Sequence, residues 1–139
     1  MKHSIYTIGH GRRPIDEFLD LLTTNQIQVL ADVRAIPRSR WPQFNQKALI
    51  LNLGAKGIRY VHFKELGGKI LAPKEEFDRG IEEITVLSAN ERVCIMCSES
   101  LPEKCHRTLT LQQPLLEHGV DIIHIYPNGE LKTVFHSQS

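Results

Sequence analysis

The chain alternates between short apolar runs of strand length and longer segments whose apolar residues recur at helical spacing. The apolar runs lie at 4–9, 27–33, 58–63, 92–97 and 120–126, and the segments with helical spacing lie at 14–25, 46–57, 74–90 and 107–119. Strands that alternate with helices in this way are typical of α/β domains. The pattern predicts a single α/β domain over residues 1–139, with a mostly parallel five-stranded sheet and helices on both faces in a Rossmann-like, three-layer arrangement.

Three local signals refine this pattern. Pro114 falls inside the last helical segment and should kink it or divide it in two, because proline removes a helical hydrogen bond. The sequence "SLPE" at 100–103 has the Ser-x-x-Glu form of a capping box, which predicts that a helix starts there and directs its backbone N–H groups towards the end of the fourth strand. Residues 130–136 are a candidate for a short additional edge strand.

Composition and charge narrow the class of protein. A net charge of +1 gives no global field that would attract nucleic acid or a membrane surface. No stretch reaches the roughly 18 apolar residues needed to span a bilayer, and the first residues lack the apolar run of a signal peptide. We therefore expect a cytoplasmic protein without membrane association, in which cysteines stay reduced and form no structural disulfide.

Polar and reactive residues follow the ends of four predicted strands. The set comprises His10, Arg12 and Arg13 after the first strand, Asp32 and Arg34 at the second, Glu65, Gly67 and Gly68 after the third, and Cys97 and Glu99 at the fourth. In open α/β sheets, ligands bind beyond the carboxyl ends of the strands, so these residues should meet at one edge. We expect His10, Cys97 and the Asp32–Arg34 pair to surround one cleft there.

The segment "CIMCSESLPEKCHR" at 94–107 contains all the cysteines of the chain. Side chains of a strand alternate between its faces, so Cys94 should be a buried and inert residue that points away from Cys97. Cys97 ends the strand, where we expect an accessible thiol. Cationic neighbours and helix N-termini lower the pKa of a cysteine, which favours Cys97 as a nucleophile or a ligand.

The residues around Cys97 suggest how such a site would work. Glu99, His106 and His10 are candidates for proton transfer. Cys105 should help to shape the site, although simple packing of Cys105 and His106 in the core is an open alternative. A metal site at Cys97, Cys105 and His106 is a further alternative, because cysteine and histidine are ligands of zinc.

The loop "DVRAIPRSRWPQFN" at 32–45 combines basic and aromatic residues and carries no acid after Asp32. Guanidinium groups bind phosphate in a forked geometry, and aromatic faces stack on bases. Arg34, Arg38 and Arg40 therefore predict an anion-binding pocket, with Phe44 and Trp41 beside it and Asp32 orienting one of the arginines. The alternative is a solvated basic loop whose aromatic residues anchor it to the core.

Four ordered segments, "TIGHGRR", "DVRAIPRSRWPQFN", "YVHFKELGG" and "CSESLPEKCHR", resemble the signature segments of the domain-of-unknown-function family 488. The resemblance runs from about residue 4 to residue 125. It implies a compact α/β protein without a settled activity, and it implies that Arg107 belongs to the site together with positions already named. Gly11 departs from the family pattern, in which a small hydroxyl residue is common.

These observations lead to one hypothesis and two alternatives. The hypothesis is an enzyme that binds a small phosphate-bearing or nucleotide-like ligand at the carboxyl edge of the sheet, with the anion held by arginines. The alternatives are a nucleic-acid-binding module that uses the basic, aromatic loop and a metal-dependent Cys/His site. The Gly-x-Gly at 9–11 lacks the third glycine of a dinucleotide-binding fingerprint, and no motif identifies a cofactor.

Overall fold

The structure is a computed structural model that describes residues 3–67 and 73–136, without the side chains of residues 106–109. In these residues the strands of one sheet are β1 (Ser4–Gly9), β2 (Val29–Asp32), β3 (Arg59–His62), β4 (Val93–Cys97), β5 (Asp121–Ile125) and β6 (Leu131–Val134). The α-helices are α1 (Ile15–Thr24), α2 (Gln46–Ala55), α3 (Lys74–Asn90) and α4 (His106–Glu117). None of these helices is long and apolar enough to cross a membrane.

The strands lie in the order β3-β2-β4-β1-β5-β6 across the sheet. The first five are parallel, and β6 runs antiparallel to β5. The α/β class and the mostly parallel sheet are therefore confirmed, whereas the predicted count of five strands is wrong. The sixth strand forms because Gly129, with a φ of 89°, turns the chain after β5 and lays residues 131–134 alongside it.

Two apolar clusters lie against the sheet. One contains buried side chains of α1 and α2, such as Phe18 and Leu53, and the other contains buried side chains of α3 and α4, such as Ile84 and Leu115. The central strand β4 contributes to both, because its side chains alternate between faces. Cys94 packs in the cluster of α1 and α2 and Cys97 in that of α3 and α4, as the alternation predicts.

The connection from β4 to α4 differs from the prediction. Residues Pro102–Lys104 form a single 3-10 turn, no side chain caps its start, and Cys105 follows in an extended conformation. The capping box therefore does not form, and α4 begins at His106. The helix then continues through Pro114 to Glu117. Pro114 does not divide it, since Leu111 and Leu115 on both sides of the proline are buried in the same apolar cluster.

The strand register aligns the carboxyl ends of three central strands. Gly9 lies opposite Cys97, and Asp32 lies opposite Met96. The segments that follow β1, β2 and β4 therefore leave the sheet side by side at one edge. The shared edge predicted for His10, Cys97 and the Asp32–Arg34 pair is confirmed, but of these residues only His10 lines the cleft described next.

Candidate functional site

A cleft with a volume of about 490 Å³ opens at the carboxyl edge of β1, β4 and β2. Small-molecule sites usually have volumes of about 300–1,000 Å³. The lining residues come from three segments: His10, Gly11 and Arg12 after β1, Arg38, Ser39, Arg40 and Trp41 after β2, and Ser98, Glu99 and Ser100 after β4. The arginines of this lining are exposed, and Glu99 is its one acidic residue. We call this feature the carboxyl-edge cleft.

Main-chain contacts hold the β1 and β4 walls of the cleft together. The backbone N–H groups of His10 and Gly11 donate to the carbonyl oxygens of Cys97 and Ser98, over 2.9 and 3.0 Å. Gly9 allows this close approach, because a Cβ atom at its position would lie 1.6 Å from the carbonyl oxygen of Glu99. The cleft therefore depends on a glycine at the end of β1.

A buried ion pair fixes the third wall. Asp32 is 0% exposed and Arg34 is 2% exposed. The Nε and Nη2 atoms of Arg34 donate to the two carboxylate oxygens of Asp32 over 2.9 and 2.8 Å, and Nη1 donates to the carbonyl oxygen of Phe44 over 2.7 Å. The pair thereby holds the 3-10 turn Pro42–Phe44 against the end of β2. We call Asp32, Arg34 and this carbonyl the buried clamp.

Tyr60, on β3, adds a further hydrogen bond to the buried clamp. Its hydroxyl donates to Oδ2 of Asp32 over 2.6 Å. Burial raises the pKa of Tyr60, and its hydrogen bond to Asp32 and the negative charge of that carboxylate raise the pKa further. Asp32 thus orients an arginine, as the sequence suggested. The arginine it orients, however, is buried outside the cleft lining, so the expectation that Arg34 and Asp32 contact the ligand is corrected to a structural role.

His10 forms part of the cleft lining and stacks on Phe44. The ring centroids lie 4.5 Å apart with an interplanar angle of 15°. The Nδ1 atom of His10 contacts the carbonyl oxygen of Gly11 at 2.6 Å, and because a carbonyl oxygen only accepts, Nδ1 carries the hydrogen. Nε2 is therefore the ring nitrogen that can accept a proton. Phe44 is fully buried, which corrects its expected position beside the ligand.

Cys97 is not the accessible thiol that the sequence suggested. It is 3% exposed, packs in the cluster of α3 and α4, and is absent from the cleft lining. Its Sγ atom donates to the carbonyl oxygens of Glu99 and Ile8 over 3.6 and 3.9 Å. Carbonyl oxygens favour a protonated thiol and repel a thiolate, so these contacts do not support an activated nucleophile. The strand end is covered because the segment after β4 folds back over Gly9.

All three thiols should therefore be protected in the folded protein. Cys94, Cys97 and Cys105 are buried, and burial raises the pKa of Cys94. We expect iodoacetamide to alkylate each of them far more slowly in the native protein than in the protein unfolded in urea, since reaction requires local or global opening. Mass spectrometry of each cysteine after timed quenching measures the three rates. Alkylation of Cys97 at the rate of the unfolded protein would contradict its burial.

Other predicted site residues lie outside the lining of the cleft. Glu65 borders a separate cavity of about 200 Å³ beside α3. Gly67 packs against the segment after β2, where a Cβ atom would come within 2.4 Å of the backbone nitrogen of Ala35. Arg13 donates from Nη2 to the carbonyl oxygen of Gly9 over 3.0 Å, and burial lowers its pKa while Glu17 partly offsets this effect. None of these three residues lines the carboxyl-edge cleft.

Three further predictions fall outside the part that the structure describes. Gly68 belongs to the segment 68–72, and the side chains of His106 and Arg107 belong to the group 106–109. Among the residues whose side chains are described, no group of three or more His, Cys, Asp and Glu residues could hold a metal ion.

Three lining residues were not among the predicted site positions, namely Ser39, Ser98 and Ser100. Arg12 and Trp41, which the sequence placed near the anion-binding pocket, also line the cleft. The left-handed backbone at Gly11, with a φ of 55°, reverses the chain so that Arg12 rather than Arg13 joins the lining. Glycine at position 11 is the signal that the sequence offered for this turn.

Comparison with known proteins identifies one related family. The family model described as Domain of unknown function DUF488 matches residues 14–74 and 69–113. The match includes the segments after β2 and β4 that form two walls of the cleft, and it begins after His10. No curated protein and no solved structure matches the chain.

Proposed function

Because the chain belongs to the family Domain of unknown function DUF488, whose description assigns no activity, we propose a function from the geometry of the carboxyl-edge cleft: binding of a small phosphate-bearing ligand. The observation that carries this proposal is the convergence of Arg12, Arg38 and Arg40 on one cleft from two separate segments. Guanidinium groups are preferred donors to phosphate because they form paired, charge-assisted hydrogen bonds.

The position of the cleft supports the same proposal. In Rossmann-like three-layer folds, ligands bind beyond the carboxyl ends of the strands, near the point where the strand order reverses. We propose that the carboxyl end of β1 is such a reversal point, because β1 lies between β4 and β5 and the chain forms strands on both sides of it. The hydroxyl groups of Ser39, Ser98 and Ser100 add hydrogen-bonding groups to the same lining.

The proposal assigns proton transfer on the bound ligand to His10 and Glu99. They are the titratable side chains of the lining other than its arginines. The bond from Nδ1 to Gly11 fixes the tautomer of His10 and leaves Nε2 as the nitrogen that accepts the proton. His10 is 2% exposed, so a ligand contacts it only at the wall of the cleft, whereas Glu99 is exposed. Cys97 is left out of this set, since it does not line the cleft and its thiol donates to carbonyl oxygens.

Replacing two cleft arginines should remove most of the binding. We expect the double variant Arg38→Gln, Arg40→Gln to bind pyrophosphate at least about tenfold more weakly than the unchanged protein, because hydrogen bonds to charged groups contribute about 1.5–3 kcal/mol each and less where water screens them. Isothermal titration calorimetry at low ionic strength measures both affinities.

The chain offers a matched control for this variant. Arg59 and Arg92 are exposed arginines at the opposite edge of the sheet, at the start of β3 and just before β4. The double variant Arg59→Gln, Arg92→Gln changes the net charge equally but leaves the cleft intact, so its affinity for pyrophosphate should stay close to that of the unchanged protein. Equal losses in the two variants would show that pyrophosphate responds to overall charge, and the proposal would fail.

A further inference from the structure

We propose that the ligand of the carboxyl-edge cleft is a nucleoside diphosphate whose base stacks on Trp41. This inference rests on the proposed function and specifies its ligand. It combines three observations: a fixed aromatic side chain in the lining, an excess of positive charge beside it, and a volume well beyond the needs of a single phosphate group.

Trp41 is a pre-arranged stacking surface. Its ring is half-buried, packs against the apolar cluster of α1 and α2, and also lines the cleft. Its backbone is held on both sides, because its N–H donates to the hydroxyl of Ser39 over 3.1 Å and its carbonyl oxygen accepts from the N–H of Phe44 over 2.9 Å. The buried clamp fixes Phe44 in turn. An aromatic face that is held in place loses little conformational entropy when a base stacks on it.

The placement of the arginines in the lining fits a diphosphate better than a monophosphate. Three arginines oppose one glutamate in the lining, which leaves an excess of two positive charges. Arg38 and Arg40 flank Ser39 in the same segment as Trp41, and Arg12 comes from the segment after β1. A chain of two phosphate groups can contact guanidinium groups from both segments while the attached base reaches Trp41. Glu99 accepts hydrogen bonds, which suits the hydroxyl groups of a sugar.

Trp41 is the one tryptophan of the chain, so its fluorescence reports directly on stacking. The experiment titrates the full-length protein with ADP and with pyrophosphate, and follows both by calorimetry and by tryptophan fluorescence. We expect ADP to quench Trp41 and to bind about tenfold or more tightly than pyrophosphate, because stacking adds to the phosphate contacts. Pyrophosphate should bind without comparable quenching.

Two variants isolate the stacking contribution. In Trp41→Leu, the ratio of the affinity for ADP to the affinity for pyrophosphate should fall from about ten or more to about one, because the stacking surface is lost. In Trp41→Phe, which keeps an aromatic face, most of the preference for ADP should remain. Circular dichroism and thermal unfolding of both variants check that the fold is retained.

The possible outcomes separate this inference from the proposed function. If pyrophosphate binds and ADP binds no more tightly, the nucleotide inference is overturned and the phosphate site stands. If neither binds to the unchanged protein, the proposed function fails as well. If a single-stranded oligonucleotide binds more tightly than ADP, with affinity that falls steeply as salt increases, the cleft takes a nucleic-acid strand and the nucleoside diphosphate is excluded as its ligand.

Discussion

Replacing Asp32 with asparagine should lower the free energy of unfolding by about 3–5 kcal/mol, because it leaves the guanidinium of Arg34 buried without a counter-charge. Arg34 is 2% exposed, and its guanidinium donates two hydrogen bonds to the carboxylate of Asp32. Urea unfolding at neutral pH, followed by circular dichroism, measures the loss. Because the clamp also holds Phe44, we expect the fluorescence of Trp41 to change in the folded variant.

An exposed ion pair of the same chain serves as the control. Arg59 donates to both carboxylate oxygens of Glu91 over 2.9 Å, but the side chain of Arg59 is 56% exposed. Pairs that water surrounds contribute little, so Glu91→Gln should cost at most about 1 kcal/mol. Similar losses for Asp32→Asn and Glu91→Gln would mean that water reaches the Asp32–Arg34 pair in solution.

Alanine at position 9 should be the most damaging small substitution in the cleft. Its Cβ would lie 1.6 Å from the carbonyl oxygen of Glu99 and 2.8 Å from the Cα of Ser100, and both are backbone atoms that cannot move aside by a change of rotamer. The segment after β4 would have to shift. We expect a loss of about 3 kcal/mol or more in unfolding free energy, at the upper end of the cost of overpacking, and loss of pyrophosphate binding.

Gly54 provides the matched glycine. It is exposed within α2, and a Cβ at its position would meet nothing within 4 Å. Gly54→Ala should leave pyrophosphate binding intact and stabilise the protein by up to about 1 kcal/mol, because alanine is the better helix former. Thermal unfolding and calorimetry of both variants give the comparison. A Gly9→Ala protein as stable as the unchanged protein would contradict the close approach of the β1 and β4 walls.

The class of fold follows from local patterns in the sequence, since each strand and helix carries its own periodicity. Residues 74–90 show a helical stripe and form α3 over the same residues. The helix predicted at 100–103 failed for a tertiary reason: the chain continues past the single turn Pro102–Lys104 in an extended conformation and buries Cys105. A capping pattern records only a local preference, and packing of Cys105 outweighs it here.

The sequence predicted which edge of the sheet carries the site. It did not predict which residues at that edge line the cleft and which are buried. Arg34 and Arg38 are both arginines of one loop, yet the first is buried against Asp32 and the second is exposed in the cleft. Trp41 and Phe44 differ in the same respect. Trp41 lines the cleft, whereas the turn Pro42–Phe44 directs Phe44 inward against His10. Which of two like residues becomes buried depends on contacts between distant segments, and no spacing in the sequence encodes it.

The central position of β4 determines when the sheet can form while the chain is being synthesised. β4 lies between β2 and β1 in the sheet, although β3 precedes it in the chain. A chain that has been synthesised only as far as β3 contains β1 and the β2–β3 pair but lacks the strand that joins them. Closing such long-range pairings is slow, because the entropy of a long loop is lost before the contacts form. Since the walls of the cleft follow β1, β2 and β4, the cleft cannot form in a nascent chain until β4 has been inserted between β2 and β1.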